Sequence, residues 1–274
     1  MKISSINDTT ELSNKIRMPW LGYGTYKASG KELIEGVQFA LSIGYRLIDT
    51  AEMYDNEEEI GKAIKESGIP RNEIFITSKV WNTNQGYENT LKSFNNSLKR
   101  LNVDYLDLYL IHWPVSGKYI ETWKALEKLY KDGKVRAIGV SNFLIHHLQN
   151  IMDKCEIVPM VNQIEFHPHL VQKDLLNFCK INKIQVEAWS PLMRGRINDI
   201  PEIVNIAKKY NKTPAQIVLR WDLQHEVVTI PKSVHKERIK ENANIFDFEL
   251  SEIDMKIIDG LDQNKRYGAD PDDF

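Results

Sequence analysis

The sequence predicts an α/β fold: a (β/α)8 barrel of the TIM type with parallel strands, a short N-terminal hairpin and an extra C-terminal helix. Three observations carry this. Short apolar runs of strand length alternate with amphipathic helical segments about eight times. The runs are of the type found in strands covered on both faces, which favours parallel pairing. The 274 residues suffice for one such barrel, and no composition shift marks a linker, so residues 1–274 read as one domain. An open doubly wound sheet is the competing arrangement.

Met1 to Met18 is polar, is broken by Asn7-Asp8 and reads as a short hairpin. Pro19 to Tyr23 is the first apolar run and leads into Gly22-Tyr23-Gly24-Thr25. Lys31 to Ile43 has helical spacing after the cap-type Ser29 and closes at Gly44. Tyr45 to Asp49 is a strand ending in an acid, a loop carries Tyr54, and Asp55-Asn56 opens a helix over Glu57 to Glu66. Strands follow at Ile74–Val80, Tyr105–Ile111, Val135–Val140, Pro159–Glu165, Ile184–Ala188 and Val227–Ile230. The intervening helices cover Gly86–Leu101, Tyr119–Asp132, Ile145–Met152 and Lys173–Ile181. Pro201–Tyr210 and Pro214–Leu223 follow the seventh run, the second with Thr213 as cap and Pro214 at its first position. Lys236–Ile245 and Ser251–Leu261 come last.

Composition excludes several classes. Thirty-six basic and 38 acidic residues give a net charge of −2, so there is no basic field for nucleic acid or an anionic membrane. No apolar stretch would span a bilayer, and Met1-Lys2-Ile3-Ser4-Ser5 lacks the apolar region of a signal peptide. Cys155 and Cys179 form no metal or redox motif. The expectation is a cytoplasmic protein in a reducing compartment.

Asp49, Lys79, His112, Ser141, Asn142, Gln163, Trp189, Ser190, Lys232 and Ser233 fall at or just past strand ends. In a barrel those ends form one face, with Tyr54 on a loop above it. A free phenol titrates near about 10, too high for an efficient acid at neutral pH, and a neighbouring ammonium lowers that value. Lys79 supplies such a charge, Asp49 orients it, and His112 fixes a carbonyl oxygen. That set would protonate a ketone or aldehyde oxygen as hydride arrives at carbon, and the hydride must come from a cofactor. No Gly-x-Gly-x-x-Gly and no phosphate-binding Gly-x-x-x-x-Gly-Lys is present. Lys232, Ser233 and Arg238, beside a helix start after the last strand, lie where barrels bind phosphate.

From Met18 to Asn242 the chain resembles the aldo-keto reductase family. The resemblance rests on Met18-Pro19-Trp20-Leu21-Gly22-Tyr23-Gly24-Thr25, Arg46-Leu47-Ile48-Asp49-Thr50-Ala51-Glu52-Met53-Tyr54 and Leu106 through Pro114. It also rests on Gly139-Val140-Ser141-Asn142-Phe143 and Ile230-Pro231-Lys232-Ser233. It implies that Asp49, Tyr54, Lys79 and His112 are catalytic, with Tyr54 as acid in reduction. It implies NADPH as cofactor, held by Gly24, Thr25 and Asp49, with Ser141, Asn142 and Gln163 on the carboxamide and Trp189 stacked on the nicotinamide. Ser190 and Leu192 match pyrophosphate positions, Lys232, Ser233 and Arg238 the 2′-phosphate, and Glu241 and Asn242 the adenine. It implies a monomer acting on small aldehydes, dicarbonyls such as methylglyoxal, or sugar-derived carbonyls. Relatives on the same barrel that sense the nucleotide or serve as structural proteins give the alternative. The loop after Leu192 and the tail are short, as in smaller microbial members reducing glyoxals and diketo sugar acids, and the short tail is expected to leave the pocket open.

Trp81 and Trp113 beside strand ends, with Tyr26, read as walls of an apolar substrate pocket that includes His112. Trp20 reads equally as pocket or core. His167-Pro168-His169 lacks a third ligand and reads as loop, so no metal is expected. His146-His147 reads as surface, and Arg194 and Arg196 either touch the pyrophosphate or are solvated, with solvation favoured.

Overall fold

The structure is a computed structural model and describes residues 3–274. A two-stranded antiparallel hairpin, β1 (Thr9–Glu11) and β2 (Arg17–Pro19), precedes the barrel. It falls within the stretch expected to hold it, apart from Met1 and Lys2, which lie outside the described residues, and Pro19, which extends it. Eight strands follow: β3 (Gly22–Gly24), β4 (Leu47–Asp49), β5 (Phe75–Val80), β6 (Leu106–Ile111), β7 (Val135–Ser141), β8 (Val161–Glu165), β9 (Gln185–Trp189) and β10 (Val228–Thr229). They pair in parallel in chain order. Parallel bridges Leu21–Thr229 and Gly24–Lys232 join the first to the last and close the barrel. The doubly wound alternative is thereby excluded.

The helices of the alternation are α1 (Gly30–Ser42), α2 (Glu57–Ser67), α3 (Tyr87–Leu101), α4 (Tyr119–Lys131), α5 (Ile145–Lys154), α6 (Lys173–Ile181), α7 (Pro201–Tyr210), α8 (Pro214–Gln224) and α9 (Lys236–Ala243). The extra helix is α10 (Glu252–Asp259). Thr213 caps α8 as expected, with a reciprocal box: Gln216 N–H donates to its Oγ1 (3.3 Å) and its own N–H donates to Gln216 Oε1 (2.9 Å). Ser29 stands at the start of α1 but makes no capping bond. Asn56 makes none either, because its side chain is drawn inward to Thr50, Thr25 and Ala28.

Six strands are shorter than their predicted runs, β5 and β6 by one residue and β3, β4, β8 and β10 by two. Tyr45 and Arg46 fall outside β4 because they finish α1: Tyr45 N–H donates to Ala40 O (3.0 Å) and Arg46 Nη1 to Leu41 O (3.0 Å). β10 is two residues long, and the neighbouring backbone is spent on closure: Thr229 N–H donates to Trp20 O (3.0 Å) and Gly24 N–H to Pro231 O (3.2 Å). Every residue of β4, β5, β6 and β8 is buried, the polar ones included, as in a sheet covered on both faces.

Glycine sets one critical approach between helices. A Cβ on Gly61 in α2 would stand 2.3 Å from the carbonyl oxygen of Leu101, the last residue of α3. Helix propensity favours alanine there by about 1 kcal/mol, but displacing a backbone carbonyl costs about 1–3 kcal/mol. Gly61→Ala should therefore lower the urea unfolding midpoint. An unchanged or raised midpoint would show that α2 and α3 do not approach this closely.

Candidate active site

Asp49 is the last residue of β4, Lys79 lies near the end of β5, and His112 follows β6 directly. Tyr54 ends a short 3-10 turn, Glu52–Tyr54, above them. Asp55, at φ 52°, then turns the chain into α2. The turn is tied down from below: Asn56 Nδ2 donates to Thr25 O (3.1 Å) and Ala28 O (3.0 Å), and Thr50 Oγ1 donates to Asn56 Oδ1 (2.7 Å). Thr25 Oγ1 donates to Asp49 O (2.8 Å), so the exit of β3 braces the end of β4.

The Lys79 ammonium is fully buried and donates to Asp49 Oδ1 (2.8 Å) and Oδ2 (2.9 Å), to Thr50 O (2.9 Å) and to Tyr54 OH (3.4 Å). The His112 ring stands edge-on to Tyr54, 5.7 Å between centroids, and edge-on to Trp81 at 5.1 Å. Four residues separated along the chain thus converge at one mouth of the barrel.

Burial alone would push the Lys79 ammonium down, but Asp49 and then Tyr54 reverse that, and its pKa is raised. Tyr54 corrects an expectation. Lys79 does pull the phenol down, but burial of its hydroxyl end outweighs that, Asp49 opposes Lys79, and the phenol is pushed up to about 12. The ring as a whole is only part-buried, so the effect belongs to the crowded hydroxyl rather than to the whole side chain. Tyr54 is therefore a protonated phenol at neutral pH, not a phenolate. Burial, then Lys79, hold His112 well below the usual imidazole range, so the ring is neutral. Its buried Nδ1 has no partner.

The next group of strand-end residues forms a continuous surface beside this centre. Asn142, at φ 67°, donates through Nδ2 to His112 O (3.0 Å) and Ser141 Oγ (3.1 Å) and accepts from Trp189 Nε1 (2.7 Å). Ser141 Oγ donates to Gln163 O (3.0 Å). Gln163 lies inside β8 rather than past its end, and its Nε2 donates to Asp49 Oδ2 (2.8 Å) and Glu187 Oε2 (2.7 Å). After Trp189 the backbone is left-handed at Ser190, Met193 and Arg194 as the loop doubles back around Leu192. Across the barrel seam Lys232 bridges to Gly24. Ser233 and Asn242 are buried, Lys232 and Arg238 are exposed, and neither cation has a carboxylate partner among the described residues. Glu241 is engaged by Thr213 Oγ1 at 2.7 Å.

Of the pocket residues, Tyr26 lies against Tyr54 (5.0 Å between centroids) and Trp81 against His112. Trp20 does not join them. It precedes β3 at the hairpin end of the barrel, where its N–H donates to Asp8 O, and it is core there. Trp113 is covered by Phe274, stacked at 4.4 Å and 24°. The short tail therefore does not leave this face open. It returns across it: Lys265 N–H donates to His169 O (2.9 Å), Tyr267 N–H to Glu165 Oε1 (2.7 Å) and Ser116 N–H to Phe274 O (3.1 Å). A Cβ on Gly268 would stand 2.4 Å from the Trp189 ring. Arg196 is exposed but lies over the Tyr267 ring at 4.7 Å.

Three residues escaped the sequence reading. Glu52 accepts from Trp81 N–H (3.0 Å), Asn84 Nδ2 (2.8 Å) and Ser93 Oγ (2.8 Å), which fixes the loop bearing Trp81. Glu187 is buried inside β9. Phe274 covers Trp113. An acid inside an apolar strand run was the available signal for Glu187, and nothing local marked the other two.

His147 is buried rather than on the surface and, with His146, faces Asp272 Oδ1 at 3.5 and 3.0 Å. The three are close enough to suggest a metal. However, His147 Nδ1 accepts from Leu144 N–H (3.2 Å), which leaves the ring proton on Nε2, where the metal would bind. A groove of about 800 Å3 between the hairpin, α6 and β9 contains none of the residues above. No helix among the described residues is long and apolar enough to cross a membrane.

Fold and site together define a parallel barrel whose strand-end face gathers a phenol, an ammonium, a carboxylate and an imidazole. The family model of the aldo/keto reductase family matches residues 20–263. The chain is 59% identical to the glyoxal reductase of Bacillus subtilis (strain 168) over 272 residues, 99% of each chain. It is 48% identical to the methylglyoxal reductase DkgA of Escherichia coli (strain K12) over 94% of each. A crystal structure of a Gox0644 variant in complex with NADPH superposes with a TM-score of 0.93 at 44% identity, covering 97% of each chain. This chain belongs to the aldo/keto reductase family.

The ion pair makes a stability prediction. In Asp49→Asn, either orientation of the amide turns its N–H2 toward a donor, Lys79 Nζ or Gln163 Nε2. Breaking a buried pair from one side costs about 3–5 kcal/mol. Urea unfolding should show a loss of that order, and a loss below about 1 kcal/mol would mean the pair is effectively solvated.

Proposed function

We propose that this chain reduces small aldehydes and dicarbonyls of the methylglyoxal class to alcohols with NADPH, Tyr54 donating the proton. The observation that carries the proposal is Tyr54 OH at 3.4 Å from an ammonium that is itself held by both oxygens of Asp49. The names of the relatives above support the substrate class.

The residues fit the cofactor. Lys232 and Arg238 are exposed cations without ion-pair partners at the start of α9, which suits a ribose 2′-phosphate. Ser141, Asn142 and Gln163 present amide and hydroxyl groups around a floor bounded by Trp189, which suits a carboxamide-bearing ring. Gln163 has both amide hydrogens committed to carboxylates, so its Oε1 is the atom left for the carboxamide. Gly24, Thr25, Ser190, Leu192, Ser233, Glu241 and Asn242 complete the assignment along the same face. When bound, NADPH supplies the hydride.

The chain's own groups then handle the oxygen. Neutral His112 donates a hydrogen bond that orients the carbonyl without competing for its proton. Tyr54 transfers its proton as charge develops on that oxygen. A phenol near 12 can do this because an alkoxide is a far stronger base, comparable to hydroxide, whose conjugate acid titrates at about 15.7. Lys79 stabilises the phenolate left behind, and Asp49 keeps Lys79 charged and in place. Tyr26, Trp81, Trp113 and Phe274 give apolar walls that exclude water from the transfer.

The test is NADPH oxidation with methylglyoxal and with an aromatic aldehyde. Turnover of neither, across a broad carbonyl panel, would refute the proposal. Tyr54→Phe should lose at least about 100-fold in kcat while still binding NADPH, since only the proton donor is removed. Full activity in that variant would remove Tyr54 from the mechanism. Lys232→Ala combined with Arg238→Ala should raise the KM for NADPH by roughly 10- to 100-fold and leave that for NADH little changed. Equal losses with both cofactors would contradict the 2′-phosphate assignment.

A further inference from the structure

The four-residue set does not use Glu187, the other ionisable group in the barrel interior at this level. Glu187 lies on β9 in register with Gln163 and is fully buried. Its Oε2 accepts from Gln163 Nε2 (2.7 Å), and the same nitrogen donates to Asp49 Oδ2 (2.8 Å). Asp49 holds Lys79, and Lys79 meets Tyr54. One unbroken chain of hydrogen bonds thus runs from Glu187 through Gln163, Asp49 and Lys79 to Tyr54. Around Glu187 the charged groups are Asp49 from β4 and Lys79 from β5. On its two neighbouring strands the residues in register with it are the uncharged Gln163 and Val228.

We propose that Glu187 is a positioning residue for proton transfer, whose ionisation sets how far the Lys79 charge favours the Tyr54 phenolate. This rests on Tyr54 as the acid–base group. The site holds two carboxylates and one ammonium, so an ionised Glu187 leaves the buried cluster with a net negative charge. Burial, and then Asp49, therefore push its carboxyl up to about 8, against the hydrogen bond from Gln163 and the attraction of Lys79. Its Oε1 has no protein partner and is free to carry the proton. Below that pH Glu187 is neutral and Lys79 acts on Tyr54 at full strength. Above it, the added negative charge offsets Lys79 and disfavours the phenolate. At a separation of roughly 10 Å and an effective dielectric near 20, one unit charge moves a neighbour's titration by about one pH unit.

Alcohol oxidation with NADP+ reads this directly, because Tyr54 then acts as base and the rate climbs with pH as phenolate accumulates. In the wild type the climb of log kcat/KM should stall near pH 8 and resume about one unit higher. Glu187→Gln, which mimics the neutral acid, should climb without a stall and exceed the wild type by up to about tenfold above it. Glu187→Asp should restore the stall. A wild-type profile with no stall overturns the proposal whether or not the variants fold, as does a Glu187→Gln profile that parallels the wild type at a constant offset. If Tyr54→Phe is inactive while Glu187→Gln superposes on the wild type, only this inference fails. If Tyr54→Phe is fully active, the acid–base assignment beneath it fails first.

Discussion

The Lys79–Asp49 pair is the constraint around which the strand-end face is arranged. An ammonium with no solvent exposure must find acceptors inside the protein, and three of its four contacts are to Asp49 and the Thr50 carbonyl. The fourth is the Tyr54 hydroxyl. A buried lysine whose protons are already directed has little freedom to move, so Tyr54 faces a fixed charge. Registration matters as much as chemistry: Asp49 pairs with Thr77, and Lys79 two residues on leans back over the same strand end. A register shift of one residue would turn Lys79 out of the barrel.

Burial explains why the phenol titrates high. Lys79 pulls the Tyr54 hydroxyl down and Asp49 offsets part of that pull, and loss of hydration at the hydroxyl prevails over both. The site thus keeps the Tyr54 phenol protonated at neutral pH, and in the proposed reduction the basicity of the reacting oxygen pulls that proton across. Neutral His112 follows from the same logic, since a second cation beside Lys79 in a poorly hydrated cleft would be costly. The surrounding loops hold this arrangement from outside. Glu52 fixes the Trp81 loop, Asn56 fixes the Tyr54 turn, and the returning tail rests on Glu165, Trp189 and Trp113.

Local sequence carried most of the barrel and half of the site. Apolar runs at strand length, helical spacing and Thr213-Pro214 at a helix start are short-range signals; helical spacing placed α6 and α7 to the residue, and Thr213-Pro214 placed the start of α8. Polar residues at the ends of those runs marked Asp49, Lys79, His112, Ser141 and Asn142, because a charged or amide side chain at that point has no place in a core. What failed depended on contacts between distant segments. Trp20 sits at the hairpin end of β3 and not at the site end, which no local pattern reveals. Phe274 reaches Trp113 across 161 positions of sequence, so a short tail gave no hint of covering the pocket. The Tyr54 shift turned on a balance between burial and two opposed charges, which residue identities alone do not weigh.

The proposed chemistry depends on the state of one phenol beside one ammonium. Carbon-13 labelling at the tyrosine hydroxyl-bearing carbon, with the Tyr54 signal assigned by its loss in Tyr54→Phe, would follow that proton directly by NMR as pH is raised. The expected signal stays that of a phenol through about pH 10 and titrates higher still in Lys79→Met. A phenolate near neutral pH, or a titration that Lys79→Met leaves unmoved, would contradict that chemistry.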